Sequence, residues 1–232
     1  MAMVKKELPL ARSMCWHCQS DIGGEYFCQQ CVKVQPLSKD IDYFTALGLP
    51  RKLNIDTGML ETKFYEMSRA FHPDFYEGKS DMERAVSLAN SATLNQAYST
   101  LKNPIERVEY LLRLEAGSAK EIPGKPPTEL FETLLEIQDQ LEELQTRKGQ
   151  KGTGFEEIAG RLRADRGTLE AKRGALERRL AELFQLWDRL ADRSSDQGQK
   201  TEKEQVLKQM RDILSQRNYL NTMLANIAEA LE

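Results

Sequence analysis

Histidine is scarce in this chain: 232 residues hold two, His17 and His72. No glycine-rich phosphate loop and no nucleophile–base pattern accompany them, so the sequence carries none of the usual marks of an enzyme. Long apolar runs are missing as well. No stretch approaches the roughly 18 apolar residues that a membrane-spanning helix needs, and no membrane partner is expected. Lys5, Lys6 and Glu7 interrupt the start of the chain, which leaves no secretory core, and the segment before the first cysteine is short for a mitochondrial presequence. The expected location is cytoplasmic. A net charge of only −3 argues against a nucleic-acid coat. Prolines number 8, few enough to leave room for long helices, and hydrophobic and charged residues at 40% and 30% suit a helical protein with charged helix surfaces.

Cysteine is confined to one place, between positions 15 and 31. Cys15-Trp16-His17-Cys18 and Cys28-Gln29-Gln30-Cys31 form a pair of Cys-x-x-Cys motifs. In a cytoplasmic protein such a cluster argues against structural disulfides. Four soft thiolates make the tetrahedral set that zinc prefers, and the same set also admits iron. One structural zinc is the expected cofactor, held by Cys15, Cys18, Cys28 and Cys31, with His17 as a spare ligand. Gly23 and Gly24 allow the turn that brings the pairs together. Residues 1–37 are too few to hold a core, so metal binding supplies their folding energy, on the order of 10 kcal/mol. Trp16, Tyr26 and Phe27 are expected to cover this knuckle and pack it on the next segment. A cysteine-based redox pair is the competing reading, although no βαβ pattern surrounds either motif.

The most informative stretch is Phe71-His72-Pro73-Asp74-Phe75. Leu60, Phe64, Met67 and Phe71 mark one face of a helix from Thr57 to Phe71. Pro73 stops that helix, because it lacks an amide hydrogen and pushes His72 out of helical geometry. Helical spacing resumes near Ser80, with Ser80 or Asp81 as cap, and runs to Leu101 through Met82, Ala85, Leu88, Ala92, Leu94 and Tyr98. The loop between presents an imidazole and a carboxylate side by side. Upstream, Asp42 to Pro50 reads as a short helix closed by Gly48 and Pro50. Downstream, Pro104 opens a last short helix, Ile105 to Leu114.

Together these motifs resemble a J-domain: Tyr43-Phe44 with Leu47-Gly48-Leu49, a helix ending in His72-Pro73-Asp74, then Asn95-Gln96-Ala97-Tyr98 with Leu101, and Pro104, Arg107, Tyr110, Leu111 and Leu112. More closely, the chain resembles the HscB-type J-protein co-chaperones of iron–sulfur cluster assembly, some of which carry an N-terminal pair of Cys-x-x-Cys knuckles. Ser91, where general J-domains often have an aromatic, and Phe75, where they often have a basic residue, fit the HscB subgroup. The resemblance implies that His72, Pro73 and Asp74 contact a DnaK/HscA-type ATP-dependent chaperone.

Residues 116–127 read as a linker, rich in glycine and proline at Gly117, Pro123, Gly124, Pro126 and Pro127. Beyond it, Leu130, Leu134, Ile137, Leu141 and Leu144 mark a helix from Thr128, and a glycine-rich break follows over Arg147–Gly154. Phe155, Leu162, Leu169, Leu176, Leu183 and Leu190 recur every seven residues as the seam of a long helix. Gly160, Gly167 and Gly174 share that period, each costing about 1 kcal/mol against alanine, and predict a bend or frayed region near 160–175. After a loop at Ser194–Lys200, Val206, Met210, Ile213, Leu220, Leu224, Ile227 and Leu231 define a final helix. The basic run Arg161, Arg163, Arg166, Lys172, Arg173, Arg178 and Arg179 reads as a solvated helix face.

The expected architecture is therefore all-α: a metal-binding knuckle at 1–37, a four-helix J-domain at 38–115, a linker at 116–127 and a three-helix antiparallel bundle at 128–232. On the first bundle helix Phe131 and Leu135 lie beside the core stripe, rimmed by Glu132, Glu136 and Asp139. They either widen that stripe or anchor a partner. The resemblance implies the second: HscB proteins dock an IscU-type scaffold there, and Phe131, Leu135, Glu136 and Asp139, with Tyr219 on the last helix, match the docking positions. Glu132 departs from the apolar residue common in the family. The resulting expectation is a non-enzymatic co-chaperone that binds the scaffold and stimulates the chaperone's ATPase. Its rivals are a J-protein for unfolded clients in general and a redox protein using the cysteines.

Overall fold

The computed structural model describes residues 14–22, 26–116, 122, 124–146, 152–193 and 197–232. Gly23, Gly24, Gly117, Pro123, most of the 147–154 break and Ser194–Asp196 lie outside them. The described residues are all-α apart from isolated bridges in the knuckle. The chain divides into two units, Met1–Ser118 and Ala119–Glu232.

In the first unit, α1 (Tyr43–Ala46), α2 (Thr57–Phe71), α3 (Asp81–Lys102) and α4 (Pro104–Ala116) each begin where a cap is available. The Asp42 carboxylate accepts from Thr45 N at 3.0 Å, and that of Asp56 from Gly58 N and Met59 N at 2.8 and 3.1 Å. Ser80, rather than Asp81, caps α3, in a reciprocal capping box with Glu83. Gly48 adopts φ 63°, the left-handed geometry that ends α1. Phe44, Leu47, Leu53, Leu60, Phe71, Leu94, Leu101 and Leu111 are wholly buried, each contributing about 1.5–3 kcal/mol. Arg107 is buried among them. Its guanidinium donates to the carbonyls of Leu53, Leu101 and Lys102, a fork that no lysine could imitate.

The buried face of α3 differs from the expected one. Met82 and Leu88 are exposed, as are Ala85 and Ala92, while Glu83, Ser87 and Asn90 turn inward beside Val86, Leu94, Ala97 and Leu101. The reason is that each inward polar group has a partner. Glu83 meets Lys33, Ser87 donates to the Phe71 carbonyl, and Asn90 bonds the backbone of Gln35 and Leu37.

In the second unit a 3-10 turn at Thr128–Leu130 leads into α5 (Phe131–Thr146), followed by α6 (Thr153–Ala191) and α7 (Gln197–Leu231). Pairings such as Gln140 with Asp165 and Glu129 with Lys172 run α5 antiparallel to α6. Arg173 with Asn221 and Arg179 with Gln209 do the same for α6 and α7. Leu162, Leu169, Leu176, Leu183 and Leu190 are buried, as the seven-residue period requires. The polar seam residues Asp165 and Lys172 are the ones paired across, Asp165 to α5 and Lys172 to the 3-10 turn that precedes it. The region 160–175 is not frayed: α6 is continuous over 39 residues. Gly160 and Gly167 face open space, so their propensity cost is offset by packing along the other face. The loop after α6 is also shorter than expected. The buried Gln199 side chain donates to the carbonyls of Leu190 and Arg193, which lets α7 begin by Gln197.

Ile122 and Gly124–Pro127 are tied to α7. Lys125 N donates to Ser215 O at 3.0 Å, and Asn218 Nδ2 to Ile122 O at 3.3 Å. A Cβ on Gly124 would sit 3.2 Å from Tyr219 N, so glycine allows this approach.

Candidate functional site

The knuckle uses one turn twice. Cys15 N donates to Ser20 O and Gln19 N to Cys15 O; Cys28 N donates to Lys33 O and Val32 N to Cys28 O. Antiparallel bridges Met14–Asp21 and Phe27–Val34 close the two turns in the same register. The residue after each second cysteine is left-handed, Gln19 at φ 61° and Val32 at φ 58°. Glycine serves this geometry best, and a β-branched residue there is strained.

The turns bring all four sulfurs within 4.8 Å of one another. Cys15 Sγ lies 3.6 Å from Cys31 Sγ, and Cys18 Sγ lies 3.6 Å from Cys28 Sγ. A tetrahedron of thiolates about 2.3 Å from an ion has edges of roughly 3.8 Å, so the cluster is able to hold one metal ion. His17 is exposed, its ring against Trp16, and is not part of the cluster. Polar groups converge on the sulfurs. The Ser20 hydroxyl sits 3.0 Å from Cys18 Sγ and 3.1 Å from Cys28 Sγ, and Gln35 Nε2 lies 3.4 Å from Cys15 Sγ. The Ser20 hydrogen bond pulls the Cys28 thiol down to about 6, whereas burial pushes Cys31 up to about 12. An ion bound to all four would ionise both outright.

The covering aromatics divide. Trp16 Nε1 donates to Val34 O at 2.7 Å, within the knuckle. Tyr26 and Phe27 reach α2, where both meet the Phe71 ring.

His72 follows Phe71 with extended backbone, φ −61° and ψ 125°, as a residue before proline should. Pro73–Tyr76 then form a 3-10 turn, and Phe75 N donates to His72 O at 3.1 Å. His72 Nδ1 accepts from Asp74 N at 3.4 Å and lies 3.5 Å from Asp74 Oδ2. Both side chains are exposed, and Phe75 is 67% exposed beside them. An imidazole and a carboxylate are thus displayed outward at the tip of the α2–α3 hairpin.

On α5, Phe131 and Leu135 are 56% and 47% exposed, one turn apart, with Glu132, Glu136 and Asp139 exposed around them. The core stripe consists instead of Leu134, Ile137 and Leu144. Phe131 and Leu135 therefore do not widen it. Tyr219 is half-buried on α7, its backbone against Gly124.

No protein-family model matches the chain. It is 39% identical over 106 residues to the co-chaperone protein HscB of Proteus mirabilis, covering 45% of this chain and 61% of that one. Over 155 residues it is 32% identical to the iron–sulfur cluster co-chaperone protein HscB of Mus musculus, covering 65% and 64%. Over these stretches the chain is similar to HscB co-chaperones. The HscB homolog of Arabidopsis thaliana is 30% identical over 129 residues, 56% of this chain and 51% of the relative. The matches thus span less than two thirds of each of these HscB proteins. Human HscB superposes with a TM-score of 0.59 at 24% identity, over 93% of this chain and 97% of that one. Vibrio cholerae HscB does so at 0.53 and 23% identity, over 81% and 96%. At these identities the superpositions speak to the fold alone. The Proteus mirabilis and Mus musculus relatives are described as co-chaperones.

Proposed function

We propose that this chain binds an IscU-type iron–sulfur scaffold and stimulates ATP hydrolysis by a DnaK/HscA-type chaperone, in iron–sulfur cluster biogenesis in the cytoplasm. The observation that carries this reading is the exposed His72-Pro73-Asp74 loop on the α2–α3 hairpin of a chain similar to HscB co-chaperones. In this account residues 38–115 act as the J-domain, 128–232 as the scaffold carrier, and 1–37 as a knuckle stabilised by one zinc ion. His72 and Asp74 engage the chaperone. Phe131 and Leu135 enter an apolar recess of the scaffold, while Glu136 and Asp139 orient it and Tyr219 completes the contact. The adaptor works by linkage. Tethering raises the local concentration of scaffold at the chaperone, and the loop favours the hydrolysed state that retains it.

Single-turnover ATPase of the chaperone, measured beside scaffold binding, tests both halves. His72→Gln and Asp74→Asn should abolish stimulation and leave scaffold affinity unchanged. The Phe131→Ala, Leu135→Ala double variant should keep its helical content and its stimulation of basal ATPase, and bind the scaffold at least tenfold more weakly, a loss of about 1.4 kcal/mol. Full stimulation by either loop variant would refute the chaperone assignment. Unchanged scaffold affinity in the double variant would move the docking site elsewhere.

A further inference from the structure

Phe71 ends α2, immediately before His72, and is held from two sides. The knuckle forms one wall. Tyr26 meets the Phe71 ring edge-on, centroids 5.2 Å apart at 85°, and Phe27 stacks on it at 6.4 Å and 22°. The Tyr26 hydroxyl also donates to Met67 Sδ at 3.4 Å. Helix α3 forms the other wall, where Ser87 Oγ and Ser91 Oγ donate to Phe71 O at 2.7 and 2.8 Å. The two walls are themselves joined. Lys33 pairs with Glu83 at 2.8 Å, and Asn90 bridges Gln35 O and Leu37 N, each at 3.0 Å. The buried side chain of Gln35 reaches back to Cys15 Sγ.

We propose that Tyr26 and Phe27 are positioning residues for the His72-Pro73-Asp74 loop, and that metal occupancy of the four-cysteine site governs how firmly they hold it. The inference rests on the loop acting as the chaperone trigger. The knuckle's own buried cluster is Cys15, Ile22 and Cys28, with Cys31 against it. So small a core does not fold without an ion, which makes the knuckle a two-state element. Only its ordered state presents Tyr26 and Phe27 to Phe71. Helices α1 to α4 have a separate core and persist when the knuckle loosens. Phe71 then loses a wall, and the loop it anchors gains freedom. Ordering that loop costs a chaperone binding energy, so affinity for the chaperone falls when the metal is lost. Coupling between two sites is reciprocal, and an ATP-bound chaperone must tighten metal binding by the same factor.

The test uses the full zinc-loaded chain, the Tyr26→Ala, Phe27→Ala double variant, and Tyr26→Phe, which keeps the ring and loses only the hydroxyl. The double variant should retain its helical signal. Its amides at 72–76 should exchange hydrogen at least about fivefold faster, at the lower end of ordinary coupling strengths, with those of 94–101 unchanged. The chaperone concentration giving half-maximal stimulation should rise by a similar factor while the maximum holds. Tyr26→Phe should behave nearly as the native chain. In a chelator competition, ATP-bound chaperone should tighten zinc binding to the native chain about fivefold and leave the double variant unaffected. Native exchange at 72–76 in the double variant overturns the proposal, as does zinc affinity indifferent to the chaperone. If the double variant fails to fold, the Tyr26→Leu, Phe27→Leu pair, which retains apolar volume, is read by the same criteria. Hydrogen exchange needs no chaperone, so a failure of the chaperone reading shows itself separately, as full stimulation by His72→Gln.

Discussion

The Ser87 hydroxyl donates to the main-chain carbonyl of Phe71 at 2.7 Å, across sixteen residues of sequence. That carbonyl is one of the orphans at the end of α2, since Pro73 and the turn behind it prevent the helix from continuing. Ser91 supplies a second donor. Either alone satisfies the oxygen, so Ser87→Ala and Ser91→Ala should each cost less than about 1 kcal/mol, and both together about 2–3 kcal/mol. Denaturant unfolding in a double-mutant cycle should show the combined loss exceeding the sum.

Glu83 is buried, and the hydrogen bond from Lys33 holds its carboxyl below the ordinary glutamate range, aided by Ser80. A carboxylate depressed in the folded state stabilises above its unfolded pKa, and that contribution is lost as pH falls through the folded value. Glu83→Gln should therefore lower Tm at neutral pH. The gap to the native chain should narrow below the ordinary glutamate pKa of about 4.3, as thermal melts across a pH series would reveal.

Val32 is 75% exposed and left-handed, so it pays backbone strain and gains little packing. Val32→Gly should relieve about 1 kcal/mol, or tighten binding of a metal ion at the four-cysteine site roughly fivefold, measured by chelator competition with zinc as the probe. Weaker binding in this variant would mean that the side chain contributes something the strain argument omits.

A Cβ on Gly124 would meet backbone atoms of Tyr219 at 3.2 and 3.3 Å, which cannot give way as a flexible side chain would. Gly124→Ala should destabilise the chain by about 1–3 kcal/mol, read as a lower thermal midpoint. Gly78→Ala, with nothing within 4 Å, is the matched control and should leave the melt nearly unchanged.

Much of the fold is legible in apolar spacing. Leu60, Met67 and Phe71 on α2, and the seven-residue seam of α6, lie inside as their periods require. The misreadings share a cause, because apolarity is a proxy for burial and polar groups with partners escape it. Glu83, Ser87 and Asn90 fill the inner face of α3 since each finds a partner on the knuckle or α2, and Met82 and Leu88 are left outside. Glycine spacing predicts a bent or frayed stretch in α6, yet the helix runs unbroken, since packing along its length outweighs a local propensity cost. At the candidate sites, cysteine spacing is enough to expect the sulfurs together. Whether Phe131 and Leu135 face inward is open in the sequence, because an apolar stripe three residues wide and one four residues wide look alike until the neighbouring helices are placed.

The repeated knuckle turn also bears on how fast the ion is captured. The hydrogen bonds of each turn stay within its own six residues. Once one pair of sulfurs has taken the ion, a single chain closure brings the other pair to it. Cys18 and Cys28, one from each turn, stand only ten positions apart in sequence. A chain of that length closes in roughly 10–100 ns, faster than ions at cellular concentrations arrive. Capture is then limited by encounter and by the ion shedding its water, and its rate rises in proportion to free ion with no plateau from chain rearrangement.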